Sequence, residues 1–288
     1  MSNPAILFPR SARRSILKAH SLFVAQTALG ANMTMILIAP FFAAGLLLSM
    51  LLLLEIGRRA GARRLARDPE GARTGAAPIE GAVFGLLGLL IAFTFSGAAT
   101  RFDTRRNLIV EEANDIGTAY LRLDLLPPES QPPLRDLFRR YLDTRLEAYR
   151  ALPDTLAAKA ALDRAAGLQG EIWNSAVVAS RGNSPAAMLL LPALNQMIDI
   201  TSTRLAAMRM HPPLMIYLML AALTLVGSLL AGYGMAGSKQ RSWIHLLIFA
   251  TIMAGSVYVI VDLEFPRAGL IRVDAFDQVL VDVRQTMK

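Results

Sequence analysis

From Gly81 to Ala99 the chain carries no charged side chain, and that run limits what the rest can fold into. At a rise of about 1.5 Å per residue it makes roughly 28 Å of helix, the thickness of a bilayer's hydrocarbon core. No proline interrupts the chain until Pro127, so Ile79 to Leu126 reads as one continuous helix of about 48 residues, on the order of 70 Å long. Its first part steps at the helical period through Gly81, Gly85, Gly88, Ala92, Ser96 and Ala99. That stripe has almost no side chain and lets another backbone come close inside lipid. Steps of three or four continue through Phe102, Arg106, Ile109, Ala113, Ile116, Tyr120 and Leu123, where water favours apolar bulk instead. The spacing predicts one seam that changes character where the solvent does.

Three further features complete a four-span pattern. Met35 to Leu54 is an uncharged run containing Pro40, Leu214 to Tyr233 is a third, and Trp243 to Val261 a fourth. Tyr217, Tyr233, Trp243 and Tyr258 bracket the last two as interfacial aromatics do. The expected architecture is therefore all-α: a four-transmembrane-helix membrane protein with a helical extramembrane bundle inserted between spans two and three.

The boundaries follow from hydropathy. Residues 1–32 are a basic N-terminal segment (Arg10, Arg13, Arg14 and Lys18, without an acid). It suits an interfacial helix over about Ser15–Leu29 with Ile16, Leu17, Phe23 and Val24 towards lipid. Residues 33–100 hold spans one and two, joined by a loop with Arg58, Arg59, Arg63, Arg64, Arg67 and Arg73. Residues 101–211 are polar enough to leave the membrane, with 14 Lys/Arg against 13 Asp/Glu.

After the PPESQPP break, Leu134, Leu137, Phe138, Tyr141, Leu142 and Leu146 keep helical spacing. Leu156, Leu168, Ile172 and Trp173 mark another helix after Pro153. A last one over about Pro185–Arg209 has Met188, Leu189, Leu191, Leu194, Met197, Ile198 and Leu205 as its apolar face. Residues 212–262 hold spans three and four. Residues 263–288 end in an amphipathic helix, with Phe276, Val279, Leu280 and Val283 on one face, that docks on the bundle.

Composition excludes several classes of function. There is no cysteine, hence no disulfide framework and no thiolate chemistry. His20, His211 and His245 lie on distant segments without a ligand spacing, so neither a metal nor another cofactor is expected. Ser228 and His245 have no oxyanion donor beside them, and the chain is not expected to be an enzyme. The net charge of +8 comes without a nucleic-acid recognition motif. The arginines are better explained by loop topology and by contact with anionic lipid headgroups. An even number of spans puts both termini and the bundle on one side. The short loops hold six plus two Lys/Arg on one side and four plus four on the other, so charge does not choose the side.

The strings EEANDIGTAYLRLDLLP (111–127), LPALNQMIDITSTR (191–204) and DLEFPRAGLIRVD (262–274), with their surrounding pairs of spans, resemble the bacterial bestrophin-like domain family over residues 35–288. Resemblance to that family of four-span proteins implies a bacterial inner membrane location. Likeness to bestrophins proper, pentameric anion channels whose second helix lines the pore, implies a homo-oligomer with a path for small ions beside residues 79–100. Their pore is narrowed by bulky apolar residues one turn apart, a spacing that Leu87, Ile91 and Phe95 share. No acidic calcium clasp of their kind is present.

Polar residues form three candidate networks. Glu111, Glu112, Asn114 and Asp115 lie within one helix; Glu111 and Asp115 are four apart on its polar face, whereas Glu112 flanks the apolar seam and needs a partner. It is read either as an arginine-paired network holding helices in register or as a cation or gating site. Asn195, Asp199 and Arg204 lie on the last bundle helix, the first two interrupting an apolar surface as if to bond the region of Glu112. Asp262, Glu264 and Arg267 stand where the fourth span ends, either paired with Arg101 or Arg105 or forming a pore vestibule. The leading functional expectation is a passive ion channel. The alternative is a non-conducting scaffold or sensor whose bundle binds a partner.

Overall fold

The computed structural model describes residues 10–68, 76–152, 154–237, 243–267 and 269–287, with residues 10–38 and 76–77 described by backbone alone. Every regular element is helical: α1 (Arg10–Arg67), α2 (Ala76–Leu121), α3 (Gln131–Arg150), α4 (Thr155–Ala179), α5 (Ser184–Arg209), α6 (Leu214–Gly234), α7 (Trp243–Glu264) and α8 (Gln278–Thr286), with short 3₁₀ turns between some of them. Four stretches, in α1, α2, α6 and α7, are long and apolar enough to cross a membrane. The second helix runs unbroken from Ala76 to Leu121.

At the N-terminus α1 is continuous from Arg10, and residues 15–29 are helical within it. No proline lies between Arg10 and Pro40, and a lone Gly30 costs a helix only about 1 kcal/mol. The side chains expected to face lipid there lie outside the described residues, as do Arg73, Lys239 and Arg241 in the short loops.

The chain divides into two compact units, one of residues 1–34, 103–209 and 272–288, the other of residues 35–102 and 210–271. The second is the membrane unit. Its core is drawn from all four spans and includes Met50, Leu54, Leu87, Leu220, Ala250 and Val257. Two helices meet backbone to backbone: a Cβ added at Gly57 would lie 2.0 Å from the Leu229 carbonyl oxygen, and one at Gly232 would lie 2.0 Å from that of Leu54. Glycine is obligatory there because the opposing atoms are main chain. Hydroxyls in the spans bond back to their own helix, Thr224 to the Leu220 carbonyl at 2.7 Å and Ser228 to that of Thr224 at 2.8 Å. This satisfies them without water and leaves Ser228 engaged in packing.

In the extramembrane unit the outer half of α2 meets α3, α5 and α8, while α3 packs against α4 and α8 and α4 against α5. Ile109, Ala113, Ile116, Tyr120 and the following Leu123 are buried, as are Leu134, Phe138, Tyr141 and Leu142 of α3 and Leu190, Leu194 and Met197 of α5, and the Tyr120 and Phe138 rings meet edge to face at 5.8 Å. The buried face of α4 is largely alanine, at positions 158, 161, 165 and 176, so that helix can lie close to its neighbours at little side-chain entropy cost.

Leu156, one of the residues that mark α4, is 76% exposed because it falls in the first turn, where Asp154 caps its N–H at 3.0 Å. The buried face of α5 is Leu190, Leu194, Met197, Ile200, Arg204 and Ala207, rotated away from Met188 and Leu189, which are exposed. The C-terminal helix packs on α3: Leu280 is fully buried, and Arg284 forms a two-bond pair with Asp143 at 2.8 and 3.0 Å.

Candidate functional site

Two faces of α2 have to be distinguished. In the membrane unit, among the described residues, no atom lies within 4 Å of a Cβ added at Gly81, Gly85 or Gly88, and Ala92, Phe95 and Ser96 beside them are exposed. The small-residue stripe is thus an uncovered surface of the protomer. Leu87, expected with Ile91 and Phe95 to form one bulky pore row, is 1% exposed and sits in the protomer core. Ile91 packs against that same core, whereas Phe95 is 47% exposed. The reason is angular: four residues advance a helix about 400° rather than 360°, so the two steps from Leu87 to Phe95 drift about 80°, from an inner face to an outer one. The mixed steps of three and four that continue the stripe lag about 20° per seven residues, which separates it from Ile109, Ala113 and Ile116, buried in the bundle. What reads as one seam is two.

Glu112 is the centre of the extramembrane unit, fully buried on α2. Arg145 of α3 donates to Oε1 at 2.7 Å, Arg204 of α5 donates to Oε2, and the Tyr149 hydroxyl donates to Oε2 at 3.1 Å. Both guanidiniums also lie against the Tyr149 ring, at 5.1 and 4.6 Å from its centroid. Three helices are tied at one carboxylate, and both arginines are under a tenth exposed. Glu112 is thus paired with arginines of two neighbouring helices.

Arg145 and Tyr149 escaped the sequence reading. The available signal was an arginine among Tyr141, Leu142 and Leu146 at helical spacing, a charge at a core position that demands a buried partner. Next to this cluster the Tyr141 hydroxyl has its pKa raised by burial, opposed by Arg145 and by a hydrogen bond from Gln169.

The other acids of that stretch lie elsewhere. Glu111 and Asn114 are exposed and Asp115 is half-buried. The Asp115 pKa is raised, first by desolvation and then by the nearby Glu111 charge. Asn195 and Asp199, expected to bond the Glu112 region, are exposed. They stand on the side of α5 away from Leu194, Met197 and Ile200, and of the expected trio Arg204 alone reaches Glu112.

At the end of α7 a second buried carboxylate, Glu264, accepts from Arg101 Nε at 2.8 Å and Nη2 at 2.5 Å. His211 Nδ1 lies 3.3 Å from its other oxygen, and the His211 ring stacks on Phe265 with centroids 4.8 Å apart. Asp262 is a backbone clamp: it accepts from the N–H groups of Leu270 at 3.0 Å and Ile271 at 2.7 Å and from the Tyr258 hydroxyl at 3.1 Å. Arg267 is half-buried in the turn between them. Glu264 has the arginine partner expected of it, in Arg101. Arg105, the other candidate, donates to the Ala207 carbonyl at 3.1 Å. Among the described residues no group of three or more His, Cys, Asp or Glu is placed to hold a metal ion.

Comparison with known proteins fits this architecture. The profile of the bestrophin-like domain matches residues 27–275. A crystal structure of a bacterial bestrophin homologue from Klebsiella pneumoniae, a point variant, shares the fold with a TM-score of 0.59 at 15% identity, covering 83% of this chain and 98% of that one. A second crystal structure, described as a membrane protein and also a point variant, gives a TM-score of 0.53 at 15% identity with the same coverage. No curated protein sequence matches. With its profile match spanning most of its length, the chain belongs to the bestrophin-like domain family.

Proposed function

We propose that the chain assembles with copies of itself in the bacterial inner membrane into a passive channel for small ions, with the open face of α2 towards the path. The observation that carries this reading is the uncovered stripe of Gly81, Gly85, Gly88, Ala92 and Ser96. A span this devoid of side chains on one face either receives a neighbouring backbone or leaves room beside it. Phe95, exposed on the edge of that face, is the residue whose bulk narrows the path; Leu87 is withdrawn from that role by its burial.

The extramembrane unit adds support for assembly. Leu121, Leu125, Met188 and Leu189 are all more than 40% exposed, and Arg122 Nη1 donates to the Leu189 carbonyl at 2.6 Å, which places them on neighbouring segments. Exposed apolar groups that adjoin one another are a usual mark of a binding surface. The same patch favours the second reading, a scaffold that docks another protein through its bundle.

Purified oligomer in planar bilayers separates the two readings. The channel reading expects single-channel steps whose amplitude rises when Phe95 is replaced by Ala. Intact oligomers that pass no current in any salt or voltage leave the scaffold reading.

A further inference from the structure

We infer that the basic C-terminal end of α1 is a binding site for the phosphate of anionic lipid headgroups, built from Arg63, Arg64 and Arg67. This sharpens the general expectation of lipid contact into a site, and it holds whether or not the spans conduct.

Three observations place these arginines. Helix α1 does not stop at the apolar boundary but continues to Arg67. Its exit is fixed against α6, since a Cβ at Gly61 would fall 2.7 Å from the Tyr233 carbonyl oxygen and 2.6 Å from the Ala236 Cβ. Gly61 is therefore level with Tyr233, one of the aromatics expected at the interface, and Trp243, which begins α7, is 58% exposed. From that level the helical rise carries Arg63, Arg64 and Arg67 about 3, 4.5 and 9 Å further. The headgroup layer is about 5–7 Å deep on each side of the hydrocarbon. The three guanidiniums, on long side chains, reach lipid phosphates.

Charge argues in the same direction. Glu55 is occupied by Arg58 at 3.1 Å and Arg59 at 2.6 Å. Arg63, Arg64 and Arg67 are exposed and make no ion pair with another described residue. Arg63 and Arg67 stand four apart on one face, an arrangement that repels unless an anion lies beside it. The C-terminal end of α1 attracts positive charge through the helix dipole, but a half-charge does not need three arginines. A phosphodiester oxygen pair matches the guanidinium fork.

The test uses the full chain purified in neutral detergent, with bound lipids read by native mass spectrometry. Phosphatidylglycerol, phosphatidylcholine and inorganic phosphate are the probes. Wild type is expected to retain phosphatidylglycerol over phosphatidylcholine. Each arginine removed weakens retention about fivefold, so the triple variant Arg63→Gln, Arg64→Gln, Arg67→Gln loses on the order of a hundredfold. A charge-matched control, Arg140→Gln, Arg150→Gln, Arg181→Gln, removes three exposed arginines of the bundle and is expected to bind as wild type does. Circular dichroism and oligomer mass establish that both variants fold. Equal retention of the two lipids by wild type overturns the inference, as does an equal loss in the control. Displacement of lipid by millimolar inorganic phosphate, which would make this a free-phosphate site, also overturns it.

Discussion

The backbone of Gly232 faces the carbonyl oxygen of Leu54 so closely that a Cβ there would stand 2.0 Å from it. Gly57 meets the Leu229 carbonyl oxygen at the same separation, so α1 and α6 hold each other by reciprocal glycine contacts. Gly57→Ala or Gly232→Ala must push two main chains apart, and overpacking of this kind costs about 1–3 kcal/mol or more. Gly45, on the same α1, has nothing within 4 Å. Gly45→Ala is expected to be neutral or to stabilise by up to about 1 kcal/mol. Thermal unfolding in detergent should rank the three variants in that order.

Glu112 balances two buried guanidiniums. Glu112→Ala strands both, and leaving buried charge uncompensated costs about 3–5 kcal/mol. Arg145→Met leaves the carboxylate with Arg204 as a one-to-one pair and fills the vacated space, so its loss is expected to be clearly smaller. Tyr149→Phe removes one hydroxyl but keeps the ring against both arginines, for about 1–3 kcal/mol. Unfolding midpoints of the three proteins check the order; equal losses would mean that the cluster is not organised around the carboxylate.

Gly85→Leu and Gly88→Leu separate folding from assembly. Within the protomer an added side chain meets open space at both positions, so helicity and protomer stability are expected to hold. The copies, if they meet through this stripe, cannot approach as closely. Light scattering in detergent should then show a smaller or heterogeneous assembly, whereas an unchanged mass would remove α2 from the interface.

Asp115 gives a pH dependence with a definite sign. Its carboxyl holds a proton more tightly in the folded protein than in the unfolded chain, through desolvation and the Glu111 charge. Its contribution to stability therefore rises as pH falls through its raised folded pKa, and levels off below the ordinary aspartate value. Asp115→Asn is expected to stabilise the protein at neutral pH and to flatten that part of the pH profile. The half-exposed position keeps the effect modest. Unfolding midpoints between pH 7 and pH 4 read it directly.

The sequence by itself determined the class of fold, because hydrocarbon and water impose such different demands. Uncharged runs near 20 residues suit helices across lipid, and proline-marked breaks separate helices of the bundle, although α2 ends at Leu121 and passes into a 3₁₀ turn instead of running on to Leu126. It also showed that Glu112 needed a partner, since a carboxylate beside Ile109 and Ile116 cannot stay alone. Tertiary structure decided which partner and which face. Arg145 and Arg204 come to Glu112 from helices 33 and 92 residues away along the chain, a convergence that no local pattern records. The glycines that bring helices together are Gly57, Gly61 and Gly232 rather than the more regular row in α2. Periodicity reports which residues share a side, whereas the neighbouring helices decide whether that side is covered.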